Sequence, residues 1–225
     1  MCSRKNDAKI VETALGELKR LYPNPRHYLE FDGPFQLIVA TILSAQCTDE
    51  RVNEVTRTLF ASYRTPGELA AERPEAVEAA VRPTGFYRNK ARAIQGASRA
   101  LVERFGGRVP DTMDELLTLP GIARKSANAI LQHGFGKVVG VIVDTHVIRV
   151  ARRLGWARSD DPEKIERELM ERFEKREWRW LPFYLKSHGR AVCKAPTPSC
   201  GSCSLSASCP SARADRPAAR RRAPG

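Results

Sequence analysis

Residues 114–153, DELLTLPGIARKSANAILQHGFGKVVGVIVDTHVIRVARR, constrain the fold more than any other stretch. The pattern predicts a helix, a tight hairpin, a second helix, a loop, and a third helix opening at Asp144. Pro120 lacks an N–H and Gly121 tolerates positive φ, so together they stop the incoming helix. The next helix is expected to begin near Arg124, with the whole hairpin at about 116–131. Its free N-terminal amides would then form a phosphate site. Gly121, Ala123 and Arg124 are the candidate contacts there, and Lys125 lies in the first turn beside them. Asp144, followed by Thr145-His146, is the expected N-cap of the third helix.

The charge of the chain points to its partner. The formal net charge is +12 over 225 residues, which suggests an acidic partner such as nucleic acid. Five arginines and one aspartate after residue 210 account for +4, which leaves +8 on the rest. The N-terminal MCSRKNDAKI is polar, and the apolar run from Phe35 to Ala45 is shorter than the ~20 residues of a membrane helix. A soluble, cytoplasmic protein with no membrane association is therefore expected.

Helical periodicity covers most of the remaining chain. Residues 7–21 read as an amphipathic helix, and YPNPRHYLEFDGP reads as an extended linker. PFQLIVATILSAQ is apolar on nearly all sides, which marks a helix central to a core. Thr48 or Asp49 caps the next helix, and Thr65-Pro66-Gly67-Glu68 has the form of a capping box. A short helix follows Pro74, and Gly85-Phe86-Tyr87-Arg88-Asn89-Lys90 turns into a long one ending at Gly106-Gly107. Asp111 and Asp114 are expected to open the helix before the hairpin. Further helices are expected at about 144–155, 162–174 (capped by Asp160 or Asp161) and 177–190, with VVGVIV a buried connector rather than a strand. Residues 211–225 are Ala/Arg/Pro-rich and expected to be a basic disordered tail.

Cys193, Cys200, Cys203 and Cys209 are separated by six, two and five residues. In a chain without secretory features they suggest metal chemistry rather than disulfides. Four thiolates so close in sequence can hold an iron–sulfur cluster or structural zinc, although zinc sites usually pair two short C-x-x-C hooks and only Cys200 and Cys203 form one. Cys2 and Cys47 lie outside this loop and read as ordinary residues.

The hairpin, the distal Asp144 and the cysteine spacing together resemble the endonuclease III branch of the helix-hairpin-helix DNA glycosylases over roughly residues 5–210. The resemblance implies an all-α fold of two helical domains with the active site in the cleft between them. Residues 25–138 would be a six-helix domain with the helix-hairpin-helix. Residues 1–24 plus 139–210 would be an iron–sulfur cluster domain holding [4Fe-4S] on the four cysteines, with Lys194 of that loop touching DNA. Lys125 matches the Schiff-base lysine of bifunctional members and Asp144 the catalytic aspartate. One departure is Ala123, where the family hairpin usually has a second glycine. Alanine resists positive φ, so weakened or shifted phosphate binding is expected if the position needs it.

The implied activity is removal of oxidised pyrimidines such as thymine glycol from damaged double-stranded DNA, followed by β-elimination. The setting would be bacterial and nucleoid-associated, and the enzyme a monomer. A free lysine has a pKa of about 10.4, so a nucleophilic one needs desolvation or neighbouring positive charge. Gln46 matches the residue that fills the space of the flipped base, and Phe86 stands where the family often places a leucine wedge. Taken alone, Phe86 reads more readily as core than as wedge, Gln46 as a helix end, Arg88 and Lys90 equally as phosphate contacts or a solvated helix start, and His146 equally as a DNA contact or a structural histidine. Three other readings remain. One is a monofunctional adenine or mismatch-thymine glycosylase, the adenine form disfavoured by Lys125 and by the ~16 residues after Cys209. The others are a non-enzymatic DNA-binding module and an electron-transfer protein.

Overall fold

A computed structural model describes residues 2–25 and 28–213. They form an all-α fold with no strand among the described residues. VVGVIV is a non-helical connector that buries Val141 and Val143. No helix of the described residues is long and apolar enough to cross a membrane. The chain forms two compact units, one running from His27 to Val139 and the other joining the N-terminal stretch to everything from Gly140 onward.

In the His27–Val139 unit, α2 (Pro34–Leu43) is the axis. Its Leu37, Ile38, Val39, Ala40, Ile42 and Leu43 are all buried, as expected of a helix apolar on every side. Around it lie α3 (Asp49–Ser62), α4 (Pro66–Ala71), α5 (Pro74–Val81), α6 (Tyr87–Phe105), α7 (Met113–Leu117) and α8 (Arg124–Ala129). Thr48 caps α3 by accepting from the Arg51 N–H, and Thr65 with Glu68 closes a capping box on α4. The start of α7 differs from expectation. Thr112 is the cap, its hydroxyl accepting from the Glu115 N–H at 3.4 Å, because Thr112 is the extended residue just before the first helical one. Asp111 instead pairs with Lys137. After α8 the chain makes one π-helical turn, Ile130–Gly134.

The other unit is built on a stripe of α1 (Cys2–Leu21), where Val11, Ala14, Leu15 and Leu18 are buried at i, i+3, i+4, i+7. They share a core with residues of α9 (Thr145–Arg153), α10 (Pro162–Arg172) and α12 (Leu181–Ala191). The single helix expected at 177–190 is divided into α11 (Lys175–Trp178) and α12. Pro182 has no N–H to bond the carbonyl four residues back, so the helix restarts there. Gly189 lets α12 approach α9 closely: a Cβ there would lie 3.1 Å from Arg149, His146 and Val150 atoms. The expected tail is shortened at its start, since Pro210–Arg213 is a 3₁₀ turn with Ala212 buried. Residues 214–225 lie outside the described residues.

Candidate active site

The hairpin is anchored by burial on one side and open on the other. Leu116, Leu119 and Ile122 are buried, whereas Pro120, Gly121, Ala123 and Lys125 are exposed and Arg124 is half-buried. Gly121 adopts φ +79, and a Cβ there would lie 2.9 Å from the Ala93 methyl, so glycine is required twice over. Ala123 is extended, with φ −97 and ψ 171. The expected conflict between alanine and a left-handed backbone therefore does not arise. Lys125 sits at the second position of α8, and no acidic side chain pairs with it among the described residues. Neighbouring protein groups do not bury it, so the free chain does not supply the desolvation that sequence reasoning asked for.

Two other turns of this unit carry the residues matched to DNA insertion. Gln46 (φ 51), between α2 and α3, and Phe86 (φ 48), before α6, are the non-glycine residues at positive φ among the described ones. Both are exposed, Phe86 at 64%. Left-handed backbone is unfavourable for such side chains and persists where the surroundings enforce it. The core reading of Phe86 is thereby excluded. Arg88 lies 3.8 Å from Glu78 and over the Tyr87 ring, largely in solvent. Lys90 is almost wholly withdrawn from solvent: it is 5% exposed and donates to the Thr84 carbonyl at 2.7 Å. Burial pushes its ammonium pKa down, with Cys47 opposing.

In the second unit, Asp144 is the N-cap of α9. Its Oδ1 accepts from the N–H groups of His146 and Val147, both at 2.8 Å. No described residue engages Oδ2, so one carboxylate oxygen is structural and the other remains available. His146 is held within the fold, its Nδ1 3.0 Å from the Arg149 guanidinium. A guanidinium only donates, so the ring is neutral with its proton on Nε2. Burial lowers the His146 pKa; Asp144 opposes this, and Arg149, Arg190 and Lys186 add to it. The structural reading of His146 is the one this geometry favours.

The same helix fastens the cysteine loop. Arg149 donates to the Gly189 and Cys193 carbonyls, and Arg153 reaches the Cys193 sulfur at 3.4 Å and the Lys194 carbonyl at 2.9 Å. Cys193, Cys200, Cys203 and Cys209 line one pocket with His188, Val150, Leu154 and Leu205. Burial raises the Cys203 pKa; a backbone hydrogen bond from Leu205 opposes this, and charges on Cys209, Cys193 and Cys200 add to it. No three metal-binding side chains among the described residues converge tightly enough for a single ion. In chemical type, four thiols lining one pocket are a donor set that fits an iron–sulfur cluster, as it would a structural zinc. Lys194 is exposed at the edge of the loop.

A family model for the HhH-GPD superfamily of base excision DNA repair proteins matches residues 39–175. The endonuclease III of Synechocystis sp. is 52% identical over 214 residues, spanning 95% of this chain and 96% of its own. The chain belongs to the endonuclease III family. Two solved endonuclease III–DNA structures, a non-covalent complex and a trapped covalent intermediate, each match with a TM-score of 0.87. Each is 40% identical, over 92% of this chain and 97% of that one. Against this endonuclease III background, sequence reasoning missed the inward course of Lys90 and the fastening roles of Arg149 and Arg153. Lys90 was detectable, since it shares a helical face with the buried Ile94, Ser98 and Leu101.

Proposed function

We propose that this base-excision DNA glycosylase/lyase removes oxidised pyrimidines such as thymine glycol from duplex DNA and cuts the strand through a Lys125 Schiff base. One observation carries the reading. An exposed lysine without an acidic partner opens the hairpin helix of a chain 40% identical to a trapped endonuclease III–DNA covalent intermediate. A covalent intermediate needs a nucleophile, and an amine left in water by the free protein is one that bound DNA can cover.

In this reading the Lys125 amine attacks C1′ as the glycosidic bond breaks, and the electron pair leaves with the base, which takes up a proton. The aminal opens to an iminium, with a proton going to O4′. Loss of a 2′ proton then expels the 3′ phosphate, and water releases the lysine. Oδ2 of Asp144 supplies negative charge to the cationic sugar. Gln46 and Phe86 enter the vacated stack, while the hairpin from Gly121 to Arg124, Arg88 and Lys194 contact phosphates. The four cysteines would hold a [4Fe-4S] cluster, which supplies rigidity to the Lys194 loop rather than electrons to the reaction. The enzyme acts as a monomer in the bacterial cytoplasm.

Borohydride trapping tests the nucleophile. Wild-type protein should form a covalent adduct with a thymine glycol duplex, and Lys125→Gln should form none. Undiminished trapping by that variant would exclude Lys125.

A further inference from the structure

Lys90 carries a charge into the core of the His27–Val139 unit, and the chemistry of base removal gives it no task. Its one hydrogen-bond partner among the described residues is the Thr84 carbonyl, and the Cys47 thiol is its electrostatic neighbour. An apolar side chain of the same length would sit there at lower cost than a desolvated ammonium. The ammonium satisfies the Thr84 carbonyl, but at the cost of desolvating a charge.

Both neighbours adjoin the strained turns. Thr84 lies two residues before Phe86, and Cys47 directly follows Gln46. Thr84 is itself buried, its hydroxyl donating to the Val81 carbonyl at the end of α5. The lysine thus grips a fixed point at the root of the left-handed Phe86 turn. A left-handed conformation at an exposed residue lasts only where its flanks are over-determined.

We propose that Lys90 is a positioning residue that keeps the Phe86 turn in its inserting conformation, acting on duplex opening rather than on bond breaking. The proposal rests on reading Gln46 and Phe86 as the inserting residues. The informative variant is Lys90→Met, which keeps the length of the side chain and removes its donors. Opening is followed by the fluorescence of 2-aminopurine beside a thymine glycol, and chemistry by single-turnover base release. Cleavage of a single-stranded abasic oligonucleotide is the control, since it needs no opening.

Lys90→Met leaves the Thr84 carbonyl without its donor, so it should melt slightly below the wild type yet cleave the single-stranded substrate normally. On duplex it should open and release base about tenfold more slowly, the size of one lost charge-assisted hydrogen bond. Opening within twofold of wild type would overturn the proposal, as would equal loss on both substrates. Should Lys90→Met fold poorly, Lys90→Gln keeps a donor and should retain most of the opening rate; if it folds but opens as slowly as Phe86→Ala, the proposal fails. If Gln46→Ala and Phe86→Ala both open duplex at the wild-type rate, the insertion reading itself is wrong, whatever Lys90 does.

Discussion

Asp144 caps α9 and is proposed to stabilise the sugar cation, two tasks that a pair of substitutions separates. Its Oδ1 holds two backbone N–H groups at 2.8 Å in the first turn of α9, and its negative charge is assigned to the sugar cation. Asparagine presents an oxygen in the same place and ranks with aspartate as an N-cap, whereas alanine presents none. Asp144→Ala should therefore cost about 1–2 kcal/mol, or roughly 2–8 °C in Tm for a chain of this size. Asp144→Asn loses only the charge–dipole part, about 0.3–1 kcal/mol. The chemistry should not follow that order, because both variants lack the charge and both should slow base release by roughly 10²–10³-fold. Urea unfolding and single-turnover release from a thymine glycol duplex measure the two effects on the same preparations. Asp144→Asn releasing base within about tenfold of wild type would refute the electrostatic role. Equal destabilisation by the two variants would refute the cap.

Gly121→Ala should destabilise by about 1–3 kcal/mol in chemical denaturation, from positive φ and the Ala93 clash. Ala123→Gly should leave duplex affinity unchanged in fluorescence anisotropy, because φ is already negative there. Phe86→Gly should stay within about 1 kcal/mol of wild-type stability, since it relieves a left-handed residue that packs little, yet lose duplex activity. The purified protein should be brown and contain iron and sulfide in equal amounts, both falling in Cys200→Ser; a colourless zinc protein would contradict the cluster. The His146 imidazole should titrate below its usual 6.5 in an NMR pH series. The unfolded chain takes up that proton first, so stability falls as pH drops below 6.5. His146→Gln should flatten part of that loss in urea titrations.

What could be read in advance depended on how local the cause was. The Thr48 cap, the Thr65–Glu68 box, the Asp144 cap and the buried α2 each follow from a few consecutive residues, and each is present. Thr112 displaced Asp111 as a cap because one residue of register decides which side chain reaches the free N–H groups. The break before α12 was visible in Pro182, but the continuous apolar pattern on either side masked it. The reach of Arg149 and Arg153 to a loop some 40 residues onward has no local signature, since it depends on how α9 meets the end of α12. Left-handed backbone at Gln46 and Phe86 was unreadable for the opposite reason: local preference argues against it, and only the surrounding packing imposes it.

That imposition has a magnitude. Each left-handed residue costs on the order of 1–2 kcal/mol. Against this, α2 alone buries Leu37, Ile38, Val39, Ile42 and Leu43, each contributing about 1.5–3 kcal/mol of gross hydrophobic stabilisation. Gln46 leaves the end of that helix, and Phe86 precedes α6, whose Ile94, Ala97 and Leu101 pack into the same core. The strain at the two turns is small beside the burial that anchors their flanks. The unit can therefore hold both side chains exposed and oriented before any duplex arrives, so no folding of these turns has to accompany base flipping. On the proposed reading of Gln46 and Phe86 as the inserting residues, the energy needed to unstack the target, a few kcal/mol, then comes from binding rather than from ordering these turns.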